Sequence, residues 1–102
     1  MAYAKSKNIS VIPEFEMPAH CDCWGYSFPS IVSAGYNISN PNAQFDLTNP
    51  LTKTVLGQMF DDMLGQGRYF EDSQYVHLGA DEVAMTWPNA RALYTDFENT
   101  FL

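Results

Sequence analysis

The sequence predicts an α/β chain in which two parallel strands alternate with helices. Three observations carry that prediction. Two short, β-branched apolar segments, residues 9–15 and 75–78, stand far apart in the chain. A helical apolar period fills residues 51–64 between them. A second helical period follows at Leu93, Phe97 and Phe101. The order strand, long loop, helix, strand, loop, helix is that of a βαβα unit, whose strands run parallel. One such unit cannot bury both faces of its strands.

Each element has a local reason. Residues 1–7 read as the tail of a helix, with Asn8 a stop. Ile9, Val11, Ile12 and Phe15 form a brief apolar run, expected as a buried strand, and Pro13 sits near its end where a ladder N–H can be spared. Residues 16–47 hold Pro18, Gly25, Pro29, Gly35 and Pro41 and are expected to be irregular, with short helical turns around 29–34. Loops of this length in a compact domain are usually functional. Asn49-Pro50 starts a helix, because Asn caps free N–H groups and Pro suits the first helical position. Leu51, Val55, Leu56, Met59, Phe60, Met63 and Leu64 give it an apolar side, with Lys53, Gln58, Asp61 and Asp62 opposite, and Gly65 and Gly67 end it. Residues 75–78 form the second expected strand and run into Gly79-Ala80-Asp81-Glu82. In the last helix Leu93, Phe97 and Phe101 fall four apart and share one face.

Composition narrows the function. The chain has 102 residues, 46% hydrophobic and 17% charged, which suits one globular unit better than a disordered one. Its net charge is −7, and the five Lys and Arg form no run. Nucleic acid and anionic membrane are therefore poor partners, since both need clustered cations. No stretch is apolar enough to span a bilayer, and no signal peptide is expected from residues 1–7. Cys21 and Cys23 are too close in sequence to pair comfortably and lack zinc-site company. They are expected as two buried or half-buried thiols, with no metal and no cofactor implied. Two sequons, Asn8-Ile9-Ser10 and Asn37-Ile38-Ser39, hint at a secretory route.

In parallel α/β folds, functional groups gather at the carboxyl ends of the strands. That rule selects Glu14, Glu16 and His20 after the first segment, and Asp81 and Glu82 after the second. Two adjacent carboxylates repel each other. One use for them is catalysis, with a protonated carboxyl donating to a leaving group while its neighbour stays charged. The plainer reading has Asp81 capping a helix or turn and Glu82 solvated. Gly79 permits close backbone approach or an unusual φ. His77, alternating with Tyr75, reads as a satisfied core histidine. Trp24 and Trp87 fit either ordinary core packing or the wall of a sugar site, as do some of the other aromatics, which make up 15% of the chain.

At this point a resemblance appears. His77-Leu78-Gly79-Ala80-Asp81-Glu82 resembles the His-x-Gly-Gly-Asp-Glu signature of the β-N-acetylhexosaminidases of glycoside hydrolase family 20. Residues 12–20, Ile-Pro-Glu-Phe-Glu-Met-Pro-Ala-His, resemble that family's Ile-Pro-Glu-(Phe or Ile)-Asp-x-Pro-Gly-His segment, and Trp24-Gly25 resembles the Trp-Gly that follows. The resemblance covers essentially the whole chain and implies a (β/α)8 TIM barrel. Residues 1–102 would then be a partial catalytic domain holding about two βα units, with the remainder of the barrel missing from this chain. It implies removal of terminal N-acetylglucosamine or N-acetylgalactosamine from glycans by substrate-assisted, retaining catalysis. Glu82 would be the general acid and base. Asp81 would hold the substrate's acetamido group, His20 would support the glutamate, and Trp87 would line the site. A lysosomal or secreted location is suggested by the resemblance and the sequons.

Three positions depart from the family pattern. Ala19 and Ala80 replace glycines, each adding a methyl that disfavours positive φ, and Glu16 replaces Asp, extending a carboxylate by one methylene. Two other readings compete. A truncated, inactive barrel fragment would keep only a binding or interaction role. A chitinase-like glycosidase would need an Asp-x-x-Asp-x-Asp-x-Glu pattern, which the sequence lacks.

Overall fold

A computed structural model of the chain describes residues 1–33, 43–84 and 89–101. Among them the elements run α1 (Ala2–Ser6), α2 (Asp22–Ser27), a 3-10 turn (Pro29–Ile31), α3 (Pro50–Met63) and α4 (Ala90–Phe101). Trp87 and the sequon at Asn37 lie outside the described residues. No helix among the described residues is long and apolar enough to cross a membrane.

Helix α1 stops where expected. Asn8 takes φ +58°, and the N–H groups of Asn8 and Ile9 return to the carbonyls of Lys5 and Ala4 at 3.0 and 2.9 Å. This is a Schellman closure, with Asn in the left-handed position that glycine usually takes.

The two extended segments meet in the expected parallel sense. His77 N–H donates to the Pro13 carbonyl and Phe15 N–H donates to the His77 carbonyl, both at 2.9 Å, so Glu14 and His77 form a parallel bridge. Met17 N–H extends the contact to the Leu78 carbonyl, also at 2.9 Å. The expectation of a buried first strand and a second short strand is corrected. Among the described residues the pairing is a single bridge, and Ile9, Ile12, Tyr75 and Val76 are exposed. Among the described residues no strand flanks either segment, so neither gains a second ladder, and only Phe15 and Leu78 pack on the core. The described residues therefore form a helical unit with isolated bridges and do not display the barrel. His77 is likewise exposed, not a core histidine.

The described residues within 16–47 hold the expected short turn, as the 3-10 turn at Pro29–Ile31, and two ordered features that were not expected, α2 and an antiparallel bridge between Val32 and Phe45. They also supply most of the core: Met17, Cys21, Ile31, Val32, Ala43, Phe45 and Leu47 are all buried. Backbone bonds knit this part together, with Phe45 N–H on the Pro18 carbonyl (2.8 Å), Asp46 N–H on the Ile31 carbonyl (2.8 Å) and Cys21 N–H on the Ala43 carbonyl (3.2 Å).

Helix α3 begins as its sequence demands. Asn49 Oδ1 accepts Leu51 N–H at 3.0 Å, while Asn49 Nδ2 donates to the Ser30 carbonyl at 2.7 Å, tying the cap to the 3-10 turn. Leu56 is fully buried, and Val55, Met59 and Phe60 pack beside it. Leu51 is exposed, contrary to expectation. Thr52 is buried in its stead, because its hydroxyl donates to the Asp46 carbonyl at 2.7 Å and so satisfies its polar atom. Helix α4 seats Phe97 in the core, with Leu93, Tyr94 and Phe101 against it. The Phe101 ring lies 5.1 Å from Phe97 and 5.3 Å from Phe60. Each such buried side chain contributes about 1.5–3 kcal/mol. Lys53 of α3 pairs with Asp96 of α4 at the rim.

Candidate active site

The parallel bridge places the ends of the two extended segments side by side. After the first, Met17, Pro18 and Ala19 are buried and anchored by Phe45, and the chain then turns at His20 with φ +54°. After the second, three N–H groups are captured in turn. Gly79 N–H donates to His77 Nδ1 (3.1 Å), Ala80 N–H to Glu16 Oε1 (3.1 Å) and Ala84 N–H to Gln44 Oε1 (2.9 Å). His77 Nδ1 thus acts as an acceptor, with Glu14 Oε1 3.5 Å from the same atom.

Gly79 (φ +68°), Ala80 (+68°) and Glu82 (+53°) are all left-handed. Gly79 has a double reason to be glycine, since a Cβ there would collide with the Glu16 carboxylate. Ala80 corrects the sequence expectation. The alanine does not avoid positive φ; it adopts it, at a cost of about 1–2 kcal/mol for a residue with a Cβ.

This turn brings three predicted residues together. His20 Nε2 lies 3.2 Å from Glu82 Oε2 and 3.8 Å from Asp81 Oδ2. Both carboxylates are exposed, with 76% and 67% of their side-chain surfaces open. His20 and Glu82 border a hollow of about 280 Å³ completed by Ala19, Ala43, Gln44 and Ala84. That is close to the lower end, about 300 Å³, of small-molecule clefts. A hollow of similar size, about 290 Å³, lies beside Met1, Lys5 and Asp72 at the other end of the first segment and has no acid pair. One donor atom each from His20, Asp81 and Glu82 lies within 4.8 Å of the others, but all three residues are exposed, so the cluster by itself identifies no ion.

Asp81 also acts electrostatically on Glu16, whose carboxyl is held above its ordinary value by burial first and the Asp81 charge second. Sequence reasoning noted Glu16 as a departure and missed it as a site residue, although the strand-end rule already picked out its position. Gln44 was also missed. Nothing in its local sequence signals that it would cap the turn at Ala84.

Trp24 resolves to core packing, edge-on to Phe45 at 5.7 Å and tilted against Phe28 at 5.8 Å. Of the two thiols, Cys21 is buried, and burial pushes it up to about 12. Cys23 is exposed, which corrects the expectation that both would be covered.

The profile of the glycosyl hydrolase family 20 catalytic domain matches residues 1–99. This chain belongs to glycosyl hydrolase family 20. Its relatives in the family include beta-hexosaminidase subunit A2 of Dictyostelium discoideum, 36% identical over 87% of this chain and 16% of the relative. Beta-hexosaminidase subunit alpha of Bos taurus is 34% identical over 82% of this chain and 16% of its own length. The Homo sapiens subunit beta is 32% identical over 79% and 14%. The chain therefore spans about a sixth of the length of these family-20 relatives. No solved structure matches it.

Proposed function

We propose that this chain is the part of a family-20 β-N-acetylhexosaminidase that carries its acid pair. The single observation that supports the reading best is the approach of His20 Nε2 to Glu82, 3.2 Å, beside Asp81 at the exit of a parallel pairing. In this proposal residues 1–102 are a piece of a catalytic domain, and the two extended segments are neighbouring strands of a (β/α)8 barrel. The Glu14–His77 bridge is in keeping with that arrangement.

The substrate is a glycan ending in N-acetylglucosamine or N-acetylgalactosamine. Its own 2-acetamido oxygen attacks the anomeric carbon while Glu82 gives a proton to the departing glycosidic oxygen. Glu82, now a carboxylate, then takes a proton from the water that opens the cyclic intermediate. Asp81 accepts the acetamido N–H and steadies the positive charge that develops there. His20 orients Glu82, and Trp87, outside the described residues, lines the sugar. This scheme calls for no metal and no cofactor. Neighbouring acids are compatible with it because they serve different atoms of one sugar. In the complete domain, Glu82→Gln should slow hydrolysis of an aryl N-acetyl-β-glucosaminide by about 10²–10⁴-fold. An unchanged rate would remove the assignment.

A second reading is favoured by the exposure of Ile9, Ile12, Tyr75 and Val76. Here the 102-residue chain is a non-catalytic fragment that binds or interacts through these uncovered edges. Hydrogen exchange on the monomeric chain separates the cases. Strong protection throughout residues 9–15 and 75–78 would count against an incomplete barrel.

A further inference from the structure

We propose that Glu16 is a positioning residue: seated in the space that Gly79 leaves empty, it holds the Ala80 N–H and so fixes the left-handed turn that presents Asp81 and Glu82. Its meaning for catalysis rests on the function proposed above; the structural clamp itself does not.

The argument begins with the turn. Three of the four residues from Gly79 to Glu82 sit at positive φ, and two of these carry a Cβ. Such a conformation persists only where the surroundings over-determine it. Glu16 supplies the hold. Its Oε1 accepts the Ala80 N–H at 3.1 Å, a charge-assisted bond when the carboxyl is ionised. The second fact is steric. A side chain on Gly79 would overlap the Glu16 carboxylate, so the glycine and the acid fit as a pair. The third is chemical. The Asp81 charge acts on Glu16, so the carboxyl that holds the backbone of the turn is also electrostatically tied to a side chain of the same turn.

The geometry divides the work between residues of the first motif. His20 faces Glu82, while Glu16 faces Asp81 and Ala80. Glu16 does not border the hollow that His20 and Glu82 line, so it acts through the turn and not on a bound sugar. The extra methylene of Glu over Asp becomes the reach needed to cross Gly79. The charged groups acting on Glu16 are Asp81 and Glu14.

The test is amide NMR on the 102-residue chain. Exchange at Ala80 should be protected in the wild type and in Glu16→Gln, which keeps the length and the acceptor oxygen. It should quicken by about tenfold in Glu16→Asp and Glu16→Ala, the scale of one lost hydrogen bond. The Ala80 amide shift should follow a carboxyl titration in the wild type, and that response should shrink in Glu16→Gln, which removes the carboxyl bonded to that N–H and leaves the neighbouring Glu14, His20, Asp81 and Glu82 in place. Equal protection of Ala80 in all four chains would overturn the proposal. So would an Ala80 titration that Glu16→Gln leaves unaltered, a measurement that survives even if Glu16→Ala fails to fold. In the complete domain, kcat should fall in Glu16→Asp and recover in Glu16→Gln while KM stays steady. An active Glu82→Gln would defeat the catalytic reading and leave the exchange result standing.

Discussion

His20 Nε2 and Glu82 Oε2 stand 3.2 Å apart although each closes a different one of the chain's two motifs. The contact depends on two turns, one at each residue, both with positive φ. An imidazole at that distance fixes where the carboxyl points.

From this comes the first prediction. In the complete domain, His20→Ala should lower kcat by about 100-fold, the scale of a misplaced catalytic group. KM should change less than kcat, since in the proposed function the main part of His20 is to orient Glu82. Steady-state rates on an aryl N-acetylglucosaminide check it, and an unchanged kcat would detach His20 from the chemistry.

The second concerns Ala80, held at φ +68°. Ala80→Gly relieves that strain but loosens the unfolded chain, so the net gain in stability should be about 0.5–1 kcal/mol. Urea unfolding should show a higher midpoint at unchanged slope. Gly79→Ala should do the reverse and cost at least about 1 kcal/mol, since it adds a left-handed Cβ and displaces Glu16. A stabilising Gly79→Ala would contradict the packing described.

The third is a pH dependence. Burial and the Asp81 charge raise the Glu16 carboxyl above its ordinary value of 4.5, outweighing the Ala80 N–H, which lowers it. A proton held more tightly by the folded chain favours folding at low pH. That contribution is complete below the ordinary value and disappears as pH climbs through the raised one. Glu16→Gln is neutral throughout and lacks this loss. Urea midpoints followed from about pH 4 to about pH 7 should therefore shift in favour of Glu16→Gln as pH increases. Parallel curves for the two chains would refute it.

The fourth separates the thiols. Cys21 is 1% exposed with its thiol pushed up to about 12, so alkylation in native buffer should spare it. Cys23 is exposed and should take one label per chain. Mass spectrometry should show the second label only in denaturant.

The helices were legible because their signals are local. Asn49-Pro50, the spacing of Val55, Leu56, Met59 and Phe60, and the four-residue repeat of Leu93, Phe97 and Phe101 all act within a turn or two. The acid pair was legible too, through the rule that chemistry collects at strand ends. Residues 16–47 were not. Helix α2 contains Asp22, Gly25 and Ser27 with no apolar period, and its order comes from distant partners such as Ala43, whose N–H donates to Asp22 Oδ1. That one βαβα unit cannot bury both faces of its strands was legible, but not that Ile9, Ile12, Tyr75 and Val76 would be the exposed positions. A β-branched run states a preference for burial, and whether a cover exists is decided elsewhere in the fold. The turn at Ala80 was misread for a related reason. Alanine argues against positive φ locally, and the Glu16 contact that enforces it spans the chain.

The bridge between Glu14 and His77 also sets an alignment. Side chains along extended backbone alternate faces, so a slip of one residue at this pairing would turn Glu16 away from Gly79 and carry His20 about 3.3 Å along the segment axis. Register and site assembly are therefore a single event in this chain: a mispaired version could retain every helix and still keep its histidine apart from its acids.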